Sequence, residues 1–501
     1  MDDWTTPFAG ENLLESLQRH AFERGAKPAL VWDGAGEVDY ATLWSLLESL
    51  ARGLKGRGLE VGARVVLVMD ASRPCLLFYL GLLRLGGVAV VVDPGLTRVQ
   101  WSQRLLDLAP AMVVAPSAIL AEIAPCSGWQ PLELSDATVA TLVREGEGVA
   151  LPGFPANSDA VLILATTGTT GVPKYVGLTL GNISAAATQI NAVTGLTEAD
   201  REVITLPLYH SFGLGRLRCG LGVGCRIHLL PGRFRPERLL KVVKASAASV
   251  FAQVPAGIRL LLAFGKRVSP WLSGVRLVEI GSASMEIAEK QRLMDYLPQA
   301  RIWHHYGLTE ASRSLFLEYH QAFAMDRLNA LGQPPPGVEM MLDSGQSLMD
   351  GELLIRGPHV TMGYFIPAGQ PSPPVRDGKW FATGDLVRRD ELGFYHYVGR
   401  VDDVINLGGF KVHPLEVETM LQACPGILDV AVVAQGDGAA RQLVALVLPD
   451  PSHPFAEKSV RDWMHDRLEP YKHPQSYRMV ASLPRTASGK LLRRELSLAN
   501  V

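Results

Sequence analysis

The chain has 501 residues, more than one hydrophobic core usually serves, so two or more domains are expected. Hydrophobic residues make up 48% and charged residues 20%, which excludes a disordered chain. Lysine plus arginine number 48 against 50 aspartate plus glutamate; the net charge of −2 excludes bulk attraction to nucleic acid or acidic membrane, and any anion site must be local.

Residues 12–25 place Leu13, Leu14, Leu17, Ala21 and Phe22 on one face, the spacing of an amphipathic helix, and residues 40–58 repeat it with Leu43, Leu46, Leu47, Leu50 and Leu54. Residues 63–69 read as a valine-rich strand. The apolar run 75–92 is long enough to span a bilayer. Arg84 sits inside it and Gly86-Gly87 divides it, so it reads as a buried helix, a turn and a buried strand, with no membrane span. Residues 111–115 form another short strand. Strands alternating with amphipathic helices imply α/β architecture with largely parallel sheets. Between 132 and 157 the pattern weakens around Pro152 and Pro155, marking a sub-boundary. Five cysteines, Cys75, Cys126, Cys219, Cys225 and Cys424, lie scattered without a C-x-x-C pair, and the N-terminus lacks the basic-then-apolar order of a secretion signal. Both features point to a reduced, cytoplasmic protein.

Residues 161–176 read VLILATTGTTGVPKYV. Val161 to Leu164 suit a short buried strand. Gly168 and Gly171 permit close backbone approach, Thr166, Thr167, Thr169 and Thr170 offer hydroxyls, and Lys174 adds a positive charge. Such a loop suits a polyanion, most simply a nucleoside triphosphate. It is not the G-x-x-x-x-G-K-[ST] loop, since Pro173 and Tyr175 break that pattern. A threonine-rich surface turn is the alternative.

Further along, PLYHSFGL (207–214) sets His210 and Phe212 on a predicted loop, where His210 either lines a cleft or is a satisfied core histidine. A strand at 276–280 breaks into Gly281, Ser282 and Ala283. A second at 301–306 runs into Tyr306, Gly307, Leu308, Thr309 and Glu310. Small residues at strand ends let a planar ring approach, and Tyr306 offers a stacking face. Glu310 is the hard oxygen ligand that Mg²⁺ prefers when phosphates supply the rest; the alternative is a helix start supported by Thr309 or Glu310. Residues 351–357 form a strand. WFATGD (380–385) ends in an exposed Gly-Asp suited to paired ribose hydroxyls. After the aromatic strand 393–399, Arg400 to Asp403 form a polar break. The last hundred residues make a compact α+β unit, with a helix at 415–422, strands at 428–434 and 443–448, and a helix at 459–468. Lys490 projects from a turn within LPRTASGKLL, where a lysine is ordinarily a solvated charge.

TTGTTGVPK, PLYHSFGL, GSAS, YGLTE, GELLIRG, WFATGD, GRVDD, GGFKVHPLEVE and PRTASGK occur in that order in one chain. The set closely resembles the adenylate-forming (AMP-binding) superfamily of acyl-CoA synthetases, adenylation domains and beetle luciferases, over nearly the whole chain. The resemblance implies a large N-terminal adenylation core of stacked α/β subdomains (1–399), a hinge (400–403) and a small mobile α+β C-terminal domain (404–501). It implies a ligase that joins a carboxylic acid to ATP, giving acyl-AMP and pyrophosphate, then passes the acyl group to a thiol by domain alternation.

Residue by residue, the resemblance assigns Thr166, Thr167, Gly168, Thr169, Thr170, Gly171 and Lys174 to the β- and γ-phosphates. Gly281, Ser282 and Ala283 fall beside the adenine, with Tyr306 stacking on it and Gly307 also in the nucleotide site. Thr309 falls to the α-phosphate and Glu310 to Mg²⁺. Asp385 and Arg400 bind ribose, Asp402 is the hinge, and Lys490 contacts the carboxylate and α-phosphate. His210, Phe212, Gly213, Gly281 and Gly307 shape the acid pocket, and Gly408 and Gly409 the thiol tunnel. Tyr175, Leu180, His304 and Asn406 depart from frequent family residues; a neutral His304 is expected to accept a hydrogen bond from the adenine amino group.

The implied cofactors are ATP and Mg²⁺, with CoA as thiol acceptor. The alternative acceptor is the phosphopantetheine of an acyl or peptidyl carrier protein acting in trans. The segment 215–230 offers no aspartate for an α-ammonium group, which argues against amino acids; its Arg216, Arg218 and Arg226 are expected at the surface, the alternative being an arginine in the pocket that pairs with a second carboxylate of the substrate. A non-catalytic nucleotide-binding protein on the same fold is the remaining class, and Lys490, Glu310 and Asp385 argue against it.

Overall fold

The computed structural model describes residues 7–123, 128–167, 173–344, 350–365, 375–376, 380–407, 410–436, 441–465, 467–485 and 491–496. The chain folds into two compact units, Met1–Met340 with Ile355–Phe381, and Met341–Leu354 with Ala382–Val501.

The first unit is built on two large sheets. One runs, in spatial order, Leu315–Glu318, Arg301–Tyr306, Leu277–Ile280, Val250–Gln253, Arg201–Ile204, Arg226–Leu229, Pro28–Trp32 and Gly36–Asp39. Its six inner strands are parallel, and the two edge strands are antiparallel. The C-terminal ends of the inner strands therefore share one rim, the usual place for a ligand crevice in α/β sheets. The 281–283 and 307–310 segments both leave from that rim. The second sheet orders Gly363–Tyr364, Pro173–Thr179, Ala160–Thr167, Val88–Val92, Arg64–Val68, Met112–Ala115 and Gln130–Glu133.

Local signals explain most elements. Helix Leu13–Glu23 begins with a capping box between Asn12 and Glu15. The 75–92 run becomes helix Arg73–Leu85 and strand Val88–Val92, whose residues pack into the first unit's core. No helix among the described residues is long and apolar enough to cross a membrane. The weakly patterned 132–157 stretch still yields the end of a strand and helix Asp136–Glu145. Its apolar face is narrow, with only Val139 and Leu142 buried, and periodicity over so few positions is faint.

In the second unit, antiparallel strands Ile427–Gln435 and Gln442–Pro449 pair along their length, and Ser476–Met479 adds in parallel. Helices Pro414–Gln422 and Glu457–His465 carry Val417, Leu421, Val460 and Met464 into a core with that sheet. The predicted helix at 459–468 starts and stops earlier than its pattern suggested.

Candidate active site

The threonine stretch forms a hairpin in which Thr166 pairs with Lys174 and Ala165 with Tyr175. Its strands run longer than the apolar core alone predicted, Ala160–Thr167 and Pro173–Thr179, so Lys174 stands on a strand. Gly168, Thr169, Thr170 and Gly171 lie outside the described residues, as does the side chain of Thr167. Tyr175 is buried and donates from its hydroxyl to Asp107 Oδ2 at 2.8 Å, tying this leg to helix Arg98–Leu108.

A short segment that the motif reading passed over holds the hairpin against the Tyr306–Glu310 loop. Gly363–Tyr364 pairs with Pro173–Thr179, placing Tyr364 opposite Val176. Thr361 N donates to the Glu310 carbonyl at 2.7 Å, Ala311 bridges Val360, and Phe365 N donates to the Tyr175 carbonyl at 2.6 Å. The side chains follow. The Lys174 ammonium lies 5.3 Å from the Tyr364 ring centroid, and the Tyr364 hydroxyl donates to Glu310 Oε1 at 3.0 Å. Thr309 and Glu310 do not open a helix; the chain passes by a loop to strand Leu315–Glu318. Their polar groups are thus not consumed by capping.

On the adjacent rim, Ser282 adopts a left-handed φ of +81°. A β-carbon on Gly281 would stand 2.1 Å from the His305 ring, and one on Gly307 would stand 2.3 Å from the Arg313 backbone nitrogen, so side chains are excluded at both positions. Tyr306 ends its strand half-buried. His304 departs from the expectation. Its Nε2 faces the Ala283 carbonyl at 2.9 Å, an acceptor, so Nε2 carries the proton and Nδ1 accepts from the Tyr319 hydroxyl at 2.9 Å. Both nitrogens are engaged, and the ring has no lone pair left for an adenine amino group. Burial lowers its pKa to about 3, keeping it neutral.

Of the acid-pocket candidates, Phe212, Gly281 and Gly307 pack against His305 or Arg313, partners absent from the motifs. His210 does not sit in a loop interior but caps helix Ser211–Val223; it is solvent-exposed, with its ring centroid 4.6 Å from that of Tyr209. Gly213, on the first turn, packs against the Pro207 carbonyl. Phe212 meets His305 edge to face at 4.7 Å and lies under the Arg313 guanidinium at 4.9 Å. Beneath them is a fully buried charge cluster. Arg216 makes a bidentate pair with Glu202 at 2.6 and 2.8 Å and reaches Glu279 Oε2 at 2.6 Å, while Arg313 pairs with Glu279 Oε1. Burial opposes the charge on Glu279, yet Arg313 and Arg216 hold its carboxyl well below the usual carboxylate range. Arg216 and Arg218, expected at the surface, are both buried. Residue type alone does not reveal the partners, Glu202 and Glu279, that make such burial tolerable.

Beside Tyr209, a cavity of about 240 Å³ opens among Asp70, Thr205, Pro207, Leu230 and Gly232. The exposed Arg233 and Arg235 follow Gly232 in the chain.

In the second unit, Asp385 lies opposite Arg400 across antiparallel strands Trp380–Arg389 and Tyr395–Arg400, and Arg400 Nη1 donates to Asp385 Oδ1 at 2.7 Å. Asp385 is buried, not exposed as the Gly-Asp ending suggested, because the strand continues four residues past it. Asp402 is exposed on the short turn Val401–Asp403. Arg493 anchors the chain just beyond Lys490, with bonds to Glu418 at 2.7 and 2.5 Å and a contact to Asp403 at 3.1 Å. Gly408, Gly409 and Lys490 lie outside the described residues.

Among the described residues, no group of three or more His, Cys, Asp or Glu side chains could hold a metal ion unaided. Glu310 offers a half-exposed carboxylate beside Lys174 and Tyr364. One such ligand fits Mg²⁺ shared with phosphates, since that ion keeps few protein ligands in such sites.

A family model described as AMP-binding enzyme matches residues 17–365, and one described as AMP-binding enzyme C-terminal domain matches residues 416–490. The chain is 28% identical over 488 residues to a 4-coumarate–CoA ligase-like protein of Arabidopsis thaliana, covering 92% of this chain and 86% of the relative. It is 27% identical over 473 residues to a 2-succinylbenzoate–CoA ligase of Oceanobacillus iheyensis, covering 94% and 96%. The crystal structure of ATP-bound MatB from Rhodopseudomonas palustris superposes with a TM-score of 0.85 at 26% identity, covering 97% of this chain and 98% of that one.

Proposed function

The chain belongs to the AMP-binding enzyme family, and on that premise we propose that it is an AMP-forming ligase joining a small carboxylic acid to the thiol of CoA. A carboxylate oxygen attacks the α-phosphorus of ATP, the bond from that phosphorus to the bridging oxygen breaks, and pyrophosphate leaves. The CoA sulfur then attacks the acyl carbon, its proton passes to solvent, and AMP departs with the thioester formed.

The meeting of Lys174, Tyr364 and Glu310 carries this reading. It brings a cation and a partly open carboxylate together at the end of the threonine hairpin, on the loop that follows Tyr306. Lys174 and the threonine loop grip the departing pyrophosphate. Thr309 contacts the α-phosphate, Tyr306 stacks on adenine, and Asp385 with Arg400 receives the ribose. Glu310 holds Mg²⁺, which when bound offsets phosphate charge. Lys490 neutralises the approaching carboxylate and α-phosphate, a preorganised charge at the reacting atoms. Movement about Asp402 withdraws it for the thiol step.

CoA is preferred over a carrier protein because the curated relatives described above are CoA ligases, matched over more than nine-tenths of this chain. The exposed Arg233 and Arg235 beside the cavity also suit the phosphates on the nucleotide end of CoA. The experiment is ATP-dependent pyrophosphate release over a panel of carboxylic acids, aromatic acids first, with and without CoA. Release stimulated by CoA, with a thioester product, is expected. Acyl-AMP that accumulates and ignores CoA would replace this reading with carrier loading.

A further inference from the structure

Tyr364 touches both ends of the phosphate site. Its backbone is fixed by pairing with the strand that carries Lys174 and by its neighbours' bonds to the Glu310 loop. Sheet geometry explains the first side-chain contact. Tyr364 is opposite Val176, and Lys174 is two residues earlier on the same face, a diagonal neighbour within reach of a long side chain. The second contact runs the other way, from the hydroxyl to one oxygen of Glu310 at 3.0 Å, leaving the other oxygen to serve a ligand. An ammonium on the ring face and a carboxylate on the hydroxyl polarise the phenol in the same direction.

We propose that Tyr364 is a positioning residue that couples Glu310 to Lys174, so that Mg²⁺ and ATP phosphates bind cooperatively rather than independently. The hydroxyl holds the carboxylate in a single orientation, as outer partners of ligating groups do. The ring holds the lysine where phosphate will meet it. Occupation of either side then favours the geometry needed by the other, and the coupling is reciprocal. This inference rests on the assignment of Glu310 to the metal and Lys174 to phosphate.

The test is equilibrium binding of ATP, measured by calorimetry with the full chain and no acid present, across a Mg²⁺ series. The quantity read is the factor by which Mg²⁺ raises ATP affinity. Association of Mg²⁺ with ATP in solution is common to all variants and cancels in the comparison. Tyr364→Phe keeps the ring and loses the hydroxyl; it should lower the enhancement roughly tenfold, the scale of one hydrogen bond to a charged group, with a much smaller loss of metal-free ATP affinity. Tyr364→Leu should lower the enhancement equally and also weaken metal-free binding, because Lys174 loses its platform. Glu310→Gln separates the layers. If it leaves the enhancement intact, the metal assignment itself fails. If it abolishes the enhancement while Tyr364→Phe retains it in full, the metal assignment stands and the coupling role of Tyr364 is overturned.

Discussion

Glu279 and Glu310 belong to neighbouring segments at one rim of the same sheet, yet their surroundings differ in kind. Glu279 is fully buried, bonded by Arg216 and Arg313, with His305 Nδ1 2.8 Å away. Glu310 is half-exposed and takes a tyrosine hydroxyl on one oxygen. The first cluster satisfies its charges internally and fixes Phe212, Gly281 and Gly307 around it. The second leaves charge open to solvent. The difference separates charge that holds a site from charge that acts in it, and burial with pairing, not residue type, decides which is which.

The comparison breaks most visibly at Arg216. Arg216→Met strips Glu202 of its bidentate partner and Glu279 of one of its two arginines in a dry interior, and should cost about 3–5 kcal/mol of stability by denaturant unfolding. A variant that unfolds with the wild type would show that the buried cluster holds nothing. At the acting end, Lys490→Ala should slow acyl-AMP formation roughly 10²-fold, as loss of a preorganised charge does elsewhere. Thioester formation from preformed acyl-AMP should be nearly unchanged, and equal loss in both steps would remove Lys490 from its role.

Two smaller effects sharpen the contrast. His359, buried in the clasp between the Glu310 loop and the hairpin, contacts Ser314 Oγ at 3.0 Å, and burial lowers its pKa to about 3 from an ordinary 6.5. As pH falls below 6.5 the unfolded chain takes up a proton that the folded ring refuses. The contribution is therefore fully present above that pH and declines towards pH 3 by about 1.4 kcal/mol per pH unit. Urea unfolding at pH 7 and pH 5 should show His359→Gln with the shallower loss; identical slopes would contradict the assignment. Tyr175→Phe removes the bond to Asp107 and should cost about 1 kcal/mol of stability, with pyrophosphate release changed by no more than about twofold. A collapse of release would move Tyr175 from holding to acting.

Part of the fold was readable from residues alone. The helix–turn–strand within 75–92 and the strand ends at Gly281 and Tyr306 follow from periodicity and from glycine placement; the second compact unit takes in 341–354 and 382–403 as well, beyond the 404–501 expected. What escaped were features that depend on partners distant in sequence. Arg216 reads as a surface charge until Glu202 and Glu279 are seen around it. His304 reads as a free acceptor until Tyr319 and Ala283 claim its nitrogens. Asp385 reads as exposed until its strand is seen to continue. Tyr364 carries no local sign of importance; pairing with the hairpin strand and contact with Glu310 arise only on folding.

The measurement that bears most directly on the division between holding and acting charge is Glu310→Gln, followed by unfolding midpoint and by acid-dependent pyrophosphate release in the same preparation. The account predicts an unchanged midpoint and release lowered by roughly 10²-fold. Full release from the Gln variant would contradict it.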